Sequence, residues 1–572
     1  MKKTILFLLF STLLIAKSID SLNIPITFSG NQAVSTEALE AVVGAKRPPP
    51  LAFWKKDIAI INSILLSKLD ETFSLFYKNE GFYDANISHK IDNDGVHFFI
   101  EENRPIIISE IIVNSNLDID EEITLVERHR FRAKDFKEMK RNIKKLLLSN
   151  GFCSPQLDTK AYLDIELYTA TININLEKNN LCYFGDITVE STSPSMSNDI
   201  ILSRLLFEKG DVFNVDKIKE SYESLYALEA FDQLHLDYRL NLYNNKPVKI
   251  TFKEIQRNIH SRIGVGYATD LKLQAKYHWE YKNFLGDGRK LIFDAVLSTK
   301  QKSVENSFFY PYIVSFGGYY LDFENSIGYF EEKDIHDFDE KVFYNRFYLS
   351  HKSSRWYNSI GLGIESRDIS NDQTFFLVYP FIKVVYDRRN SKLNPTKGIY
   401  FSHEMEYGLP YSQDSTSYLK YLEELRTIYT FSDVTLSAVG RMGSIQVFNN
   451  NGMPESKKFF AGGAFSNRAY GYDRIGITES ATEDLIDGGL TLANLSLEVN
   501  FPIYKDLNGA VFTDNTMLSD NQGIWEFSNK VITSAGIGFR YMTPIGPFKI
   551  DMGVNIKDRS QNAIHFQVGQ SF

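Results

Sequence analysis

Two cysteines are all that this chain of 572 residues contains. Cys153 and Cys182 stand 29 residues apart, which excludes a zinc framework and a redox Cys-x-x-Cys pair. A basic excess is missing as well. The 63 Lys and Arg against 72 Asp and Glu leave a formal charge of −9, so there is no basic footprint for nucleic acid. Past the first few residues no segment carries about 20 uninterrupted apolar residues, and mean hydropathy is −0.24, which together exclude a bundle of membrane-spanning helices. The ten histidines show no HExxH spacing, and Gly462-Gly463 lacks the spacing and lysine of a phosphate loop. No catalytic constellation and no cofactor is expected, although Glu498 and Asp514 leave an acid–base pair open on residue type alone.

Aromatics, by contrast, are abundant. They make up 14% of the chain, with 32 Tyr and 43 Phe, a content suited to the interfacial girdles of an outer-membrane barrel. Met1–Ser18 reads as a secretory signal: Lys2 and Lys3, the apolar run Ile5–Ile15, then small residues around Ala16-Lys17-Ser18. The run of eleven is too short for a helical span; an uncleaved anchor is the other reading.

The closing residues Ile564–Phe572 alternate. Ile564, Phe566, Val568 and Phe572 share one face, broken by Gln570, while His565, Gln567, Gly569 and Ser571 share the other. Period two places successive side chains on opposite faces of a strand, here lipid and wet lumen. Ala535, Ile537, Phe539 and Tyr541 oppose Ser534, Gly536, Gly538 and Arg540 in the same way. Phe548, Ile550, Met552, Val554 and Ile556 oppose Lys549, Asp551, Gly553, Asn555 and Lys557. The 315 residues 258–572 accommodate about sixteen strands at roughly 20 residues per strand and loop. A soluble β-sandwich or propeller is the competing fold.

Residues 22–256 repeat a β-α-α-β-β unit three times, over 22–104, 105–180 and 181–256. The units open on strands Ile24–Ser29, Ser109–Asn114 and Gly185–Ser191. Helical spacing follows over Asp57–Tyr77, Asp135–Leu148 and Asp216–Ala230. The helices end in Glu80-Gly81-Phe82, Asn150-Gly151-Phe152 and Glu229-Ala230-Phe231. Glycine stops a helix by accepting the left-handed cap, and the third unit lacks it. Two strands close each unit, such as Tyr83–His89 with Val96–Glu101. Cys153 opens the second strand of unit two and Cys182 follows its third; those ends are neighbours in an antiparallel hairpin, which leaves open a disulfide or two free buried thiols.

The segment Phe459–Tyr472 contains Ala461-Gly462-Gly463 and Asn467-Arg468-Ala469-Tyr470-Gly471. It resembles the inward-folded loop of the BamA/TamA family of outer-membrane assembly factors, whose signature is an Arg-Gly-aromatic core. Arg468 falls on the family arginine and Tyr470 on the aromatic; Ala469 stands in place of the glycine. Asp387–Asn390 with Asn394–Gly398, the turn Tyr541–Pro547, Leu497-Glu498 and Phe512-Thr513-Asp514 resemble further phrases of the family in the same order. The three units look like POTRA (polypeptide-transport-associated) modules, and three of them favour the TamA type.

The resemblance implies three α+β modules in the periplasm and a transmembrane antiparallel barrel in the outer membrane of a Gram-negative bacterium. It implies a function in protein insertion, with unfolded outer-membrane or autotransporter clients, contact with outer-membrane lipid, and a TamB-type partner anchored in the inner membrane. A two-partner-type secretion pore, a BamA-type general insertase and a passive porin are the alternatives.

Physical reasoning supplies roles. A lumenal arginine keeps its charge and needs carboxylates, for which Glu498 and Asp514 are the candidates; otherwise Arg468 is an exposed loop charge. An unpaired module edge accepts an extended client by backbone hydrogen bonds, unless the modules are spacers or dock a fixed partner. The first barrel strand includes Arg262–Thr269, expected to pair with the last across a lateral seam of Ile263, Gly264, Val265, Gly266, Phe566, Val568, Gly569 and Phe572. Its glycines weaken or bend strands, and an ordinary closed barrel is the alternative.

Overall fold

The computed structural model describes residues 23–47, 58–62, 68–191, 195–238, 245–268, 272–316, 319–333, 338–353, 355–370, 374–392, 394–449, 451–477, 486–504, 507–525, 531–541 and 548–568. The signal Met1–Ser18, the turn residues 542–547, and Gly569 and Phe572 of the seam lie outside them.

In the first module β1 (Asn23–Ser29), α1 (Thr36–Val42), β2 (Ala59–Asn62), α2 (Leu69–Asn79), β3 (Asn86–Asp92) and β4 (Gly95–Glu101) follow in order. The sheet runs β2-β1-β4-β3, with β1 parallel to β4. Ser35 starts α1: its hydroxyl accepts the N–H of Ala38 at 3.2 Å, satisfying a donor the helix end would leave unpaired. Leu39, Phe73 and Tyr77 bury their helix faces against Ile26, Phe98 and Ile100. One expectation is corrected here. Within the stretch Asp57–Tyr77 read as helical, the described residues Ala59–Asn62 are a strand paired antiparallel with Asn23–Ile26, and Leu69–Asn79 is helix. Ile60 and Ile61 match helical spacing, but β-branched side chains suit the pleated surface, and β1 offers a backbone partner.

The second module has β5 (Ile107–Ser115), α3 (Ala133–Ser149), β6 (Gln156–Asp164) and β7 (Thr169–Glu177), in sheet order β5-β7-β6. The first helix of the expected pair is only a 3-10 turn at Asp120–Glu122. Three acidic residues in one turn carry no apolar stripe to bury, so nothing extends it. The third has β8 (Tyr183–Ser191), α4 (Asn198–Ser203), α5 (Val215–Tyr226), β9 (Phe231–Asp237) and β10 (Asn245–Glu254), in order β8-β10-β9. Gly81 and Gly151 cap their helices at φ +92° and +87°. In the third module Glu229, one residue ahead of the glycine-equivalent Ala230, takes the left-handed conformation at φ +54°.

Among the described residues sixteen antiparallel strands follow in sequence order, from β11 (Ile259–Ala268) to β26 (Asn562–Val568). Near the end of the chain the alternation becomes two faces. Ile537, Phe539, Ile550, Met552 and Ile564 are exposed, whereas Arg540, Lys549, Asp551 and His565 are buried. No helix among the described residues is long and apolar enough to cross a membrane. The chain forms two compact units; Asp186–Glu208 of the third module belongs with the barrel.

Candidate functional site

The site is built on the segment between β21 (Val434–Val447) and β22 (Thr491–Tyr504). The segment pairs with itself through bridges Phe459↔Gly489 and Ala461↔Ile475. Gly462 and Gly463 hold φ +107° and +92°, and the Gly463 N–H donates to the Tyr470 carbonyl at 3.0 Å. That reversal, which only glycine makes without strain, presents Arg468 at the tip. Ala469 is buried and is not among the left-handed residues, so alanine is accommodated at this position.

Arg468 is 2% exposed. Its Nε and Nη2 donate to the two oxygens of Asp514, both at 2.9 Å, and its backbone N–H donates to the same carboxylate at 3.0 Å. Nη1 donates to Glu498 at 2.5 Å. The guanidinium lies 3.3 Å from the centroid of the Phe512 ring. Glu498 sits on β22 and Asp514 on β23 (Leu507–Ser519), each on the inward phase of its strand. A buried cation is tolerable only when paired and hydrogen-bonded, and the bidentate fork meets that condition.

The cluster extends beyond the residues read from sequence. Arg540 on β24 (Ile532–Tyr541) donates to Glu498 at 3.0 Å and to Asp551 on β25 (Phe548–Asn555) at 2.6 Å. Asn555 donates to the Tyr470 hydroxyl at 2.7 Å. The signal for these partners was present, since Arg540, Asp551 and Asn555 all fall on the polar phase of cleanly alternating strands. Gly471 follows Tyr470 without a left-handed φ; its carbonyl lies where a side chain on Gly462 would have to go.

At the seam, β11 pairs with β12 (Lys272–Lys282) in unbroken register from Ile259↔Tyr281 to Ala268↔Lys272. Gly264 and Gly266 therefore introduce no bulge, and a Cβ on Gly264 would meet nothing nearer than Lys276 Cβ at 3.9 Å. Ile263 and Val265 are 79% and 76% exposed. On the other side Phe548 pairs with Val568 and Ile550 with Phe566. Among the described residues no register joins β11 to β26.

Within the barrel's compact unit, α4 is followed by Arg204, whose guanidinium donates to both oxygens of Asp322 on β15 (Tyr319–Glu332), at 3.1 and 2.5 Å. It also stacks 3.8 Å from the Tyr320 centroid. Glu229 pairs with Lys290 at 2.9 Å and Lys282 at 3.5 Å. Cys153 and Cys182 are disulfide-bonded, with Cα atoms 5.9 Å apart.

Sheet, modules and lumenal loop together define an antiparallel membrane barrel with α+β modules on its N-terminal side. The Omp85 superfamily domain matches residues 283–572, half of the chain, and the POTRA model (surface antigen variable number repeat) matches 25–103. The chain belongs to the Omp85 superfamily, and it is an outer-membrane protein whose POTRA region is periplasmic. It is 22% identical to the outer membrane protein assembly factor BamA of Nitratidesulfovibrio vulgaris, across 91% of this chain and 69% of that one. It is 27% identical to a putative outer membrane protein assembly factor of Treponema pallidum, across 27% of this chain and 19% of that one. The crystal structure of Haemophilus ducreyi BamA lacking POTRA domains 1–3 superposes with a TM-score of 0.57 at 18% identity, covering 82% of this chain and all of that one.

Proposed function

We propose that this protein assembles other proteins into or across the outer membrane. The observation that carries the reading is the inward loop fixed by Arg468 to Asp514 and Glu498 in a barrel preceded by POTRA-type modules. A passive pore has no use for such modules. In this reading β3, β6 or β9, the outer strands opposite the bridged edges at Ile60, Ile107 and Tyr183, accept extended clients by backbone pairing, and the seam between β11 and β26 parts to receive a client strand. Folding and lipid burial of the client supply the free energy, and no catalytic centre or cofactor is involved.

Three modules support the translocation-and-assembly type over the general insertase. That type brings unfolded outer-membrane or autotransporter clients, outer-membrane lipid and a TamB-type inner-membrane partner as its interactions. The long alignment with a relative named BamA favours the general insertase as the neighbouring reading. Depletion of the protein, followed by quantitation of outer-membrane barrel proteins, tests the proposal. Loss of a subset of large clients fits the first type and loss of nearly all barrels the second; unchanged levels of every barrel and autotransporter protein overturn both.

A further inference from the structure

The loop that carries Arg468 meets the barrel wall at a second buried ionic station, eleven residues earlier at Lys457. Lys457 is 7% exposed. Its ammonium lies 3.1 Å from Glu365 on β17 (Trp356–Ile369) and 2.9 Å from Glu406 on β19 (Lys397–Gly408). It also sits 4.3 Å from the ring centroid of Tyr379 on β18 (Thr374–Asp387). Both carboxylates are oriented by hydroxyls: Tyr379 donates to Glu365 and Tyr418 to Glu406, each at 3.0 Å. Lys420 on β20 (Tyr418–Phe431) donates to the Lys457 carbonyl at 2.7 Å. Two residues on, the Phe459 ring occupies space that a side chain on Gly443 of β21 would fill. Five consecutive strands, β17 to β21, thus each contribute a group to one short stretch of loop.

The two stations share a polarity. In each, the loop brings a cation and the wall brings a pair of carboxylates. Phe459, Ala461 and Ile475 of the loop share one apolar cluster with Leu377, Tyr379, Ile445 and Leu492 of the wall.

We infer that Lys457 is a second positioning residue for the lumenal loop, clasping its first limb to β17–β19 as Arg468 clasps its tip to β22–β25, so that the loop is a crossbar between two parts of the barrel wall. The loop leaves the lumen only when both clasps open. Withdrawing the lysine takes the ammonium from two buried carboxylates and leaves Glu365 to Arg367; withdrawing the arginine leaves Glu498 to Arg540 and Asp514 without its fork. Each clasp is costly to open, and release of the whole loop, which needs both, is rare. The consequence for assembly rests on the proposed function; the clasp itself does not.

Hydrogen exchange of the full-length protein in lipid nanodiscs tests it, with heat-modifiable gel mobility reporting an intact barrel. Lys457→Met is expected to speed exchange across 455–461 by about tenfold or more while leaving 466–471 protected. The triple variant Lys457→Met with Glu365→Gln and Glu406→Gln removes the two carboxylates as well; it is expected to keep the barrel's mobility and still expose the first limb. Lys457→Arg, which keeps the cation, is expected to retain most of the protection. Unchanged exchange over 455–461 in both the single and triple variants overturns the clasp, as does loosening of the whole loop to the same extent by Lys457→Met. Client insertion is measured on the same samples. A released limb with full insertion refutes the loop's part in assembly and leaves the clasp standing.

Discussion

Gly553 on β25 lies directly against the backbone carbonyl of Arg468, so close that a Cβ there would overlap it. The wall thus makes room for the loop tip with a residue remote from it in sequence. Gly553→Ala forces the tip away from β25 and stretches the bonds to Asp514 and Glu498. The expected loss is about 1–3 kcal/mol, as for an overpacked interior. The midpoint of the heat-modifiable gel shift measures it, and a midpoint equal to that of the parent protein counts against the contact.

Removing Arg468 leaves Asp514 and Glu498 buried. Arg468→Ala is expected to lower barrel stability by about 3–5 kcal/mol, the range for breaking a buried pair. Arg468→Glu and Asp514→Arg should each impair assembly, and the double reversal should recover part of it. A double variant assembled no better than either single one refutes the pairing.

Arg204 holds Asp322 by a two-pronged bond and stacks on Tyr320. Lysine cannot reproduce the fork or the flat stack. Arg204→Lys should behave nearly as badly as Arg204→Ala in freeing the α4 region, seen as faster proteolysis near Arg204. Full protection in the lysine variant would show that charge alone suffices.

Glu229 gives a pH dependence. Partial burial tends to raise its pKa, but Lys290 and Lys282 outweigh burial and hold the carboxyl below the usual range. Its folded pKa lies below the unfolded value near 4.5, so its stabilisation is complete above that value and is lost as pH falls through the folded pKa. The group is half exposed, so the effect is about 0.5 kcal/mol. Glu229→Gln should melt below the parent protein at pH 7, with the gap closing as pH falls through the lowered folded pKa; a gap that persists undiminished at acid pH assigns the effect to something other than charge.

A disulfide across the seam tests the lateral opening. Cysteine pairs between Ile263–Val265 and Ile564–Phe566 are to be screened for cross-linking. The locked form should fold normally and lose insertion activity, which reduction restores. Undiminished activity in the oxidised form would end the case for a gate.

The barrel was legible because its signal is local. Alternation from Ser534 to Lys557 assigns each side chain a face without reference to any other strand, and the buried Arg540, Lys549 and Asp551 follow from it. Arg468, Glu498 and Asp514 were read as partners through family resemblance; the exact contacts depend on a wall position, Gly553, that no spacing rule connects to the loop. Lys457 escaped notice because a lysine beside Lys458 in a polar loop has the composition of a solvated segment, and its partners Glu365 and Glu406 are 92 and 51 residues earlier. The strand at Ala59–Asn62 was misread as helix because Ile60 satisfies both periods, and pairing with β1 decides between them.

The bridged loop also has an electrical consequence. A barrel of sixteen strands encloses a lumen wide enough for hydrated ions. Here Phe459, Ala461 and Ile475 carry apolar bulk into that space and Arg468 and Lys457 lodge positive charge against its wall. Small ions meet an obstacle, while the wall carboxylates that pair Arg468 and Lys457 balance their charge. In a planar bilayer the resting protein should pass little current, with brief openings that mark excursions of the loop, and the outer membrane keeps its permeability barrier around a pore-sized barrel.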